Sequence, residues 1–292
     1  MSAAGLFPGQ GLPAKAVLHA LPERDEHLET AREVLGYNLR RKVEIAARRD
    51  GATLPTLIAQ PAIFLAGTIA LRHAEGSGRR WDFFAGHSLG EYTGLVAGSS
   101  LSFEDALFLV RTRAAAMEDA GKAMPGGMAA VLGLDFDVVA DIAARSGAVV
   151  ANDNAPGQVV LSGSENDLAR AAGMVRSARA RSVLLEVSGP FHSPAMAAAA
   201  EPLADALDRV EIRTPKIPVV SNVTARPYEG PAEIRAGLVE QLTHRVRFRE
   251  SLEWLVDQGV EDFDDLGPGR IVAGLAARTT RARSKAEVAA HA

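Results

Sequence analysis

Residues 81–97 read WDFFAGHSLGEYTGLVA, and this stretch decides the fold class. A short apolar run is followed by a serine between two glycines, in the pattern G-x-S-x-G, and then by a helical stretch. In a strand–turn–helix, the glycines allow a sharp turn that presents Ser88 at the end of the strand. The amide of Leu89, at the helix N-terminus, would point to where an oxyanion forms. The pattern predicts an α/β protein with a serine nucleophile, and the generic alternative is a Gly-Ser turn that caps a helix.

Short apolar runs alternate with helical stretches along most of the chain, which extends the α/β pattern. Between residues 128 and 187 the order is β-α-β-β-α-β, as in a ferredoxin-like unit. Pro-Gly sequences flank this segment at 125–127 and 189–190. We therefore predict an α/β-hydrolase-like catalytic domain formed by residues 1–125 and 191–277, with a ferredoxin-like domain inserted at 126–190. The basic, then Ala-rich stretch 278–292 is expected to be a disordered tail.

The composition excludes several classes of protein. The 32 Lys and Arg residues are outnumbered by 36 Asp and Glu residues, so a chain-wide basic footprint for nucleic acid is absent. Without cysteine the chain has no thiol nucleophile, disulfide or Cys-ligated metal. No run approaches 18 uninterrupted apolar residues, and the N-terminus lacks the pattern of a signal peptide. We expect a cytoplasmic protein, a monomer by default, with no membrane span, no metal and no cofactor.

A serine nucleophile needs a base, and His192 is the first candidate among the seven histidines. It lies in the rigid loop GPFHSP, 189–194, just after a strand end, where the active sites of α/β proteins collect. His244, after a helix end, is the second candidate. The generic alternative for His192 is a loop histidine that caps the next helix. In an ordinary serine esterase of this fold, an Asp or Glu and then a histidine follow the serine toward the C-terminal end of the sequence. No such pair stands out after residue 240.

Arg113 is the most informative charged residue. On the predicted helix 102–120, the apolar residues Ala106, Val110 and Met117 share its face, so the guanidinium is predicted to be buried. A buried guanidinium must be paired. The partner is either an internal Asp or Glu, as in most proteins, or a substrate carboxylate bound in a bidentate manner. The periodicity does not choose between these two.

Seven motifs, in order, make the chain resemble the malonyl-CoA:acyl carrier protein transacylases, including the free-standing acyltransferases that serve polyketide synthases. The resemblance covers residues 5 to 277. The motifs are FPGQG at 7–11, GHSLGEY at 86–92, Arg113 with Met117, ANDNAPGQVVLSG at 151–163, GPFHSPAM at 189–196, QLT at 241–243 and LGPGR at 266–270.

The resemblance implies a catalytic role for five positions. Ser88 would accept the acyl group, and His192 would be its base, acting as a dyad without an acid. A backbone carbonyl at Gln241 would orient the histidine. The amides of Gln10 and Leu89 would form the oxyanion hole. The implied reaction is a ping-pong transfer through an acyl-serine intermediate, from malonyl-CoA to the phosphopantetheine thiol of an acyl carrier protein.

The resemblance also implies how the acyl group would be selected. Arg113 would bind the free carboxylate of the malonyl group, with Met117 beside it. Phe191 would leave less room for an α-methyl branch, although one methyl is worth only about 1–3 kcal/mol of discrimination. The pathway served, fatty acid or polyketide synthesis, and the nature of the acyl donor, CoA or a carrier protein, stay open.

Three other functions stay open beside this one, as does transfer of another acyl group. A hydrolase that clears acyl groups from carrier proteins has less need of a carboxylate anchor, so Arg113 argues against it. The Ser88–His192 pair disfavours a non-catalytic carrier-docking module. The absence of a C-terminal acid–histidine pair disfavours a general esterase. An acidic carrier protein would need a basic patch, for which the arginines at 245, 247 and 249, or those at 79 and 80, are candidates.

Overall fold

The computed structural model describes residues 1–49 and 51–290, with side chains to residue 285. The described residues form helices around two separate sheets, one parallel and one antiparallel, which confirms the predicted α/β class. In the first sheet the strand order is β7-β2-β1-β8, and all neighbours are parallel. Its strands are β1 (Ser2–Phe7), β2 (Phe83–Gly86), β7 (Val219–Val220) and β8 (Val260–Asp265).

Helices cover both faces of the parallel sheet. Successive strand residues therefore point into two different cores, one on each face. Phe7 and Phe84 are buried in one core, whereas their neighbours Leu6 and Ala85 are buried in the other. Burial on both faces is the usual state of a parallel sheet. The helices around this sheet are α1 (Ala14–Ala20), α2 (Glu26–Leu35), α3 (Leu39–Ala47), α4 (Thr56–Gly76), α5 (Gly90–Ala97), α6 (Phe103–Ala123), α9 (Ala200–Leu207), α10 (Pro231–Glu240), α11 (Phe248–Asp257) and α12 (Ile271–Ala290).

Helix α4 is long and apolar enough, by length and composition, to cross a membrane, but 67% of its most apolar 18-residue window is buried inside the protein. It is a core helix that packs against α5 and α6. Pro61 lies inside this helix, which begins at Thr56. Pro61 has no N–H to donate to the Leu57 carbonyl, and that carbonyl accepts a hydrogen bond from the Tyr37 hydroxyl at 3.4 Å instead.

The second sheet lies wholly within residues 127–184. Its strands follow the order β4-β5-β3-β6, and all neighbours are antiparallel. Two helices pack on the sheet and share a separate core with it. The elements are β3 (Gly127–Leu132), α7 (Phe136–Ser146), β4 (Val149–Ala155), β5 (Gln158–Gly163), α8 (Glu165–Ser177) and β6 (Arg181–Leu184).

Strand β4 fixes the second sheet to the rest of the protein. The Asp153 amide donates to the Val246 carbonyl at 2.9 Å, and the Val246 amide donates to the Ala151 carbonyl at 2.8 Å. The Arg249 guanidinium pairs with the buried Asp153 carboxylate at 2.8 Å. These contacts hold β4 beside the carboxyl ends of β1 and β2, and a cavity lies between the two sheets.

The C-terminal segment differs from the sequence prediction. Helix α12 continues to Ala290, so the expectation of a disordered tail is wrong for residues 278–290, and 291–292 lie outside the described residues. Leu275, Ala276 and Thr279 are buried against the protein. From this anchored start the helix continues through alanines and arginines, which have high helix propensity.

Candidate active site

The backbone around Ser88 forms a strained turn that only glycines on either side allow. Ser88 has φ of 52°, in the left-handed region that non-glycine residues rarely adopt. A Cβ on Gly86 would overlap the backbone of Gly90, and a Cβ on Gly90 would overlap the carbonyl of Phe7. The turn joins β2 to α5 and presents the Ser88 side chain toward the cavity, as the G-x-S-x-G pattern predicts.

His192 also has a left-handed backbone, with φ of 56°. Its loop is held by Ser193, whose hydroxyl donates to the Pro190 carbonyl at 2.5 Å. The Nε2 atom of His192 lies 2.8 Å from Ser88 Oγ, and Nδ1 lies 2.8 Å from the Gln241 carbonyl oxygen. Since a carbonyl only accepts, Nδ1 carries the proton, and Nε2 is free to accept one from Ser88.

The histidine is held in its neutral form. Burial and, to a smaller extent, the nearby charge of Arg113 together lower the pKa of His192 to about 3, while the hydrogen bond to Gln241 opposes the shift. An unprotonated imidazole beside a serine hydroxyl is the state that a general base requires. The dyad is therefore in place for proton abstraction at neutral pH.

Arg113 is buried as its helical periodicity predicts, with a relative exposure of 1%. Its Nη1 donates to Gln60 Oε1 at 2.8 Å, and its Nη2 donates to Gln241 Oε1 at 2.9 Å and to Ser88 Oγ at 3.0 Å. In the part of the chain that the structure describes, no Asp or Glu forms an ion pair with it, and its Nε has no partner. The internal salt bridge that the sequence left open is thus absent there. Two neutral amides hold the guanidinium, whose charge remains available to a bound anion.

Two backbone amides near Ser88 are unpaired in the described part of the chain. Neither the Gln10 nor the Leu89 N–H donates to a protein group within the described residues. Leu89 immediately precedes α5, and Gln10 follows β1, whose carboxyl end lies beside that of β2. Unpaired amides at the residue after Ser88 and at a residue that lines the same cavity as Ser88 are the donors that an oxyanion hole needs.

The cavity above Ser88 has a volume of about 230 Å³, and Met117 and Phe191 line it together with Ser88 and His192. Both side chains are almost fully buried. Gln60 connects one wall to the arginine, because its amide nitrogen lies 3.5 Å from the Met117 sulfur while its oxygen accepts from Arg113. The pocket around the serine is therefore small, apolar on one side and cationic on the other.

The sequence reasoning missed a buried polar cluster behind the serine. Glu91, Asn222 and Tyr228 are almost fully buried, and the Tyr228 hydroxyl donates to Glu91 Oε1 at 2.5 Å. Burial raises the pKa of Glu91 to about 7, against the opposing hydrogen bonds and the charge of Arg113. The available signal was a glutamate within GEYTGLVA, an otherwise uncharged stretch that forms a buried helix.

His244 and the candidate arginines of the basic patches do not line this cavity. His244 is exposed, and its Nδ1 contacts the Glu240 carbonyl at 2.8 Å. Most arginines of the two candidate basic patches have acidic partners within the protein. Arg245 and Arg247 pair with Glu250, and Arg249 pairs with Asp153 and Glu253. Arg79 pairs with Asp262 and Asp264, whereas Arg80 contacts backbone carbonyls. A carrier-binding role for either patch stays a prediction.

A strained serine, a neutral histidine and two free amides on an α/β fold define the site of a serine-dependent acyl-transfer enzyme. The sequence matches the acyl transferase domain family over residues 14–292. The chain belongs to this family and, within it, to the malonyl CoA-acyl carrier protein transacylases, as its relatives show. The resemblance seen in the sequence is thereby confirmed.

The relatives cover nearly the whole chain. The malonyl CoA-acyl carrier protein transacylase of Bacillus subtilis is 40% identical over 286 residues, covering 94% of this chain and 90% of the relative. An acyl carrier protein S-malonyltransferase from Vibrio cholerae has a TM-score of 0.87 and 34% identity, covering 96% of this chain and 94% of the other. A malonyl-transacylase solved in complex with its type II PKS acyl-carrier protein has a TM-score of 0.86 and 33% identity, covering 96% and 94%.

Proposed function

We propose that this protein transfers a malonyl group from CoA to the phosphopantetheine thiol of an acyl carrier protein, through an ester on Ser88. One observation carries the proposal. Arg113 Nη2 lies 3.0 Å from Ser88 Oγ, and no carboxylate of the described chain pairs with that guanidinium. In malonyl-CoA the free carboxylate is separated from the thioester carbonyl by one methylene group. An unpaired cation directly beside the nucleophile suits that short diacid and binds its carboxylate in a charge-assisted manner.

The first half-reaction follows from the hydrogen bonds at the serine. Ser88 Oγ attacks the thioester carbonyl carbon as its proton passes to His192 Nε2. The Gln10 and Leu89 amides stabilise the oxyanion that forms. The carbon–sulfur bond then breaks, and the proton on His192 passes to the departing CoA thiolate. The Gln241 carbonyl keeps the imidazole in the required tautomer throughout.

The second half-reaction uses the same groups in reverse. His192 removes the proton from the carrier thiol, and the sulfur attacks the carbonyl carbon of the Ser88 ester. The ester C–O bond breaks, and Ser88 Oγ recovers its proton from His192. The acyl-serine must survive until the carrier arrives, so the site has to favour a thiol over water.

The proposal also covers the domain organisation, the pocket walls, the oligomeric state and the cellular location. We regard residues 1–125 and 191–277 as an α/β-hydrolase-like catalytic domain, and 126–190 as a ferredoxin-like insert whose strand order and antiparallel pairing support that description. Phe191 restricts the pocket against an α-methyl branch, and Met117 shapes its wall. The enzyme works as a cytoplasmic monomer with no metal or prosthetic group, and it uses the CoA thioester as a substrate.

The decisive experiment is intact-protein mass spectrometry after mixing with malonyl-, methylmalonyl- or acetyl-CoA. We expect a malonyl adduct on the unmodified enzyme and none on Ser88→Ala. In Arg113→Ala, malonyl transfer should fall by roughly 10- to 100-fold, since a charged hydrogen-bonding partner is lost, and the preference should shift toward acetyl. Arg111→Ala is the matched control, because Arg111 lies on the exposed face of the same helix and donates to the Val34 carbonyl.

The alternatives give different outcomes in that experiment. A hydrolase that clears carrier proteins would form no stable adduct and would release free acid from acyl carrier proteins. A transferase for another acyl group would accumulate that adduct in preference to the malonyl one. No adduct and no turnover with any of the three thioesters would contradict the proposed function.

A further inference from the structure

The peptide groups on both sides of Ser88 are held by buried side-chain amides that the transfer reaction itself does not use. Asn222 follows the short strand β7 and is 1% exposed. Its Oδ1 accepts from the Ser88 N–H at 2.6 Å, and its Nδ2 donates to the Gly86 carbonyl at 2.6 Å. One side chain therefore links the residue at the nucleophile with the residue two positions before it, across the strained turn.

The peptide after Ser88 is held in the same way. The Gln241 side-chain nitrogen donates to the Ser88 carbonyl at 3.1 Å. In a trans peptide the C=O and N–H groups point in opposite directions. Drawing the Ser88 carbonyl toward Gln241 thus turns the Leu89 N–H to the other side, which is the orientation that an oxyanion donor requires.

The two amides are themselves fixed, so neither can rotate freely. Glu91 accepts from the Gln241 side-chain nitrogen and, at 3.3 Å, from the Asn222 backbone N–H. The Asn222 carbonyl accepts from the Arg247 N–H at 2.9 Å. The side-chain oxygen of Asn222 also lies 3.3 Å from the Gln241 side-chain nitrogen. Every hydrogen-bonding group of Asn222 is used, and its amide has only one orientation that satisfies all its partners.

We propose that Asn222 is a positioning residue for the nucleophile and the oxyanion hole, and that Glu91 and the Gln241 side chain hold it in place. Asn222 touches neither the acyl group nor the histidine in this role. It maintains the left-handed conformation of Ser88, which costs free energy unless the surroundings impose it. The inference rests on the proposed acyl-serine chemistry only in assuming that Ser88 is the nucleophile.

The first test is Asn222→Leu, which has a similar volume and no hydrogen bonds. The single-turnover rate of Ser88 acylation should fall by about tenfold to a hundredfold, since a small misplacement of reacting groups has effects of that size. The rate should fall equally with malonyl-CoA and with a small sulfonyl fluoride, a serine reagent that carries no carboxylate. The Kd for malonyl-CoA, measured in a Ser88→Ala background, should change by less than about threefold, because Arg113 is untouched.

Asn222→Asp provides a second test and is isosteric. Its carboxylate would still accept from the Ser88 N–H but would repel the Gly86 carbonyl. Protonation of the introduced carboxyl restores a donor to Gly86, so the acylation rate relative to the unmodified enzyme should recover as the pH falls. The buried carboxyl of Glu91 faces the same site and titrates in both proteins, which is why the ratio of rates is the quantity to follow. A residue with only a structural role would give no such recovery.

Ser146→Ala is the matched control for loss of a buried hydrogen bond. Ser146 lies at the end of α7, which packs on the second sheet, and its hydroxyl donates to the Ala143 carbonyl at 3.1 Å. Its loss should leave the acylation rate unchanged. The proposal is overturned if both Asn222 variants acylate at the unmodified rate, or if Asn222→Leu weakens malonyl-CoA binding as strongly as it slows acylation. Reaction of Ser88 with the sulfonyl fluoride but not with malonyl-CoA would instead count against the proposed function and leave this inference standing.

Discussion

The Nη2 atom of Arg113 lies 3.0 Å from the Oγ atom of Ser88, so the cation and the nucleophile are in direct contact inside the protein. This contact affects the base as well as the substrate, because the same charge lowers the pKa of His192 beyond what burial does. A malonyl carboxylate bound to Arg113 would offset that charge next to the dyad. In the proposed reaction, malonyl binding and the basicity of His192 would therefore be linked through the Arg113 side chain.

The first prediction concerns the pH dependence of Ser88 reactivity in Arg113→Ala. Loss of the positive charge makes protonation of His192 easier, so its pKa rises from about 3, although burial still keeps it below the ordinary value. The acid limb of reactivity, which needs neutral His192, should move to higher pH. The measurement is the rate of inactivation by a neutral sulfonyl fluoride as a function of pH. An acid limb that stays in place, or moves to lower pH, would contradict the electrostatic link.

The second prediction concerns Gly86→Ala. The added methyl group would overlap the Gly90 backbone. The turn between β2 and α5 that carries Ser88 can relieve that overlap only by moving. We expect Ser88 acylation to fall by at least about a hundredfold, with a loss of roughly 1–3 kcal/mol in the free energy of unfolding. Stopped-flow acylation and urea unfolding measure the two effects.

Gly274→Ala is the matched control for that substitution. Gly274 lies in α12, and a methyl group there would meet no neighbour within 4 Å. Alanine is the better helix former, so the free energy of unfolding should increase by about 0.5–1 kcal/mol while acylation is unchanged. If the two variants had equal acylation rates and equal free energies of unfolding, the close approach of Gly86 and Gly90 would not constrain the turn at Ser88.

Much of the fold and part of the site could be predicted from local patterns. The alternation that places Leu6 and Phe7 in different cores follows the period-two pattern of a strand. The burial of Arg113 follows the helical periodicity of the apolar residues around it. Ser88 and His192 were recognised because each lies in a Gly- or Pro-constrained loop after a strand. The structure brings both into hydrogen-bonding distance.

The remaining features depend on contacts between distant parts of the chain. Asn222 reaches Ser88 across 134 residues, and a lone asparagine after a short strand carries no periodic signal. Arg249 meets Asp153 across 96 residues, a pairing that the local sequence does not show. The helix through residues 278–290 was not predicted because α12 is held by packing against α11, β8 and β4, contacts that the local sequence does not show.

The third prediction concerns acyl selectivity in Phe191→Ala. Phe191 is 2% exposed and lines the cavity beside His192. Removing the ring makes room for an α-methyl branch, so the kcat/KM ratio of methylmalonyl-CoA to malonyl-CoA should rise by about tenfold or more, the range expected for one methyl group. Phe136→Ala is the control, because that ring is at the start of α7 under the Arg245 guanidinium and does not line the cavity. A ratio unchanged in Phe191→Ala would show that other residues exclude the branch.

The fourth prediction concerns Arg249→Met, which tests what holds the second sheet in place. Asp153 is fully buried, and the Arg249 guanidinium contacts both of its carboxylate oxygens. Removing the cation leaves a buried charge without compensation, which typically costs about 3–5 kcal/mol. Urea unfolding should show a loss of that order. The double variant with Asp153→Asn should recover much of it, because the stranded charge is then gone.

Arg145→Met is the matched control, since Arg145 pairs with Asp141 on the surface with both side chains more than 60% exposed. Its loss should cost no more than about 1 kcal/mol. If Arg249→Met were no less stable than Arg145→Met, the Asp153 pair would not be what fixes β4. The two backbone hydrogen bonds to Val246 would then be sufficient to hold that strand beside the serine.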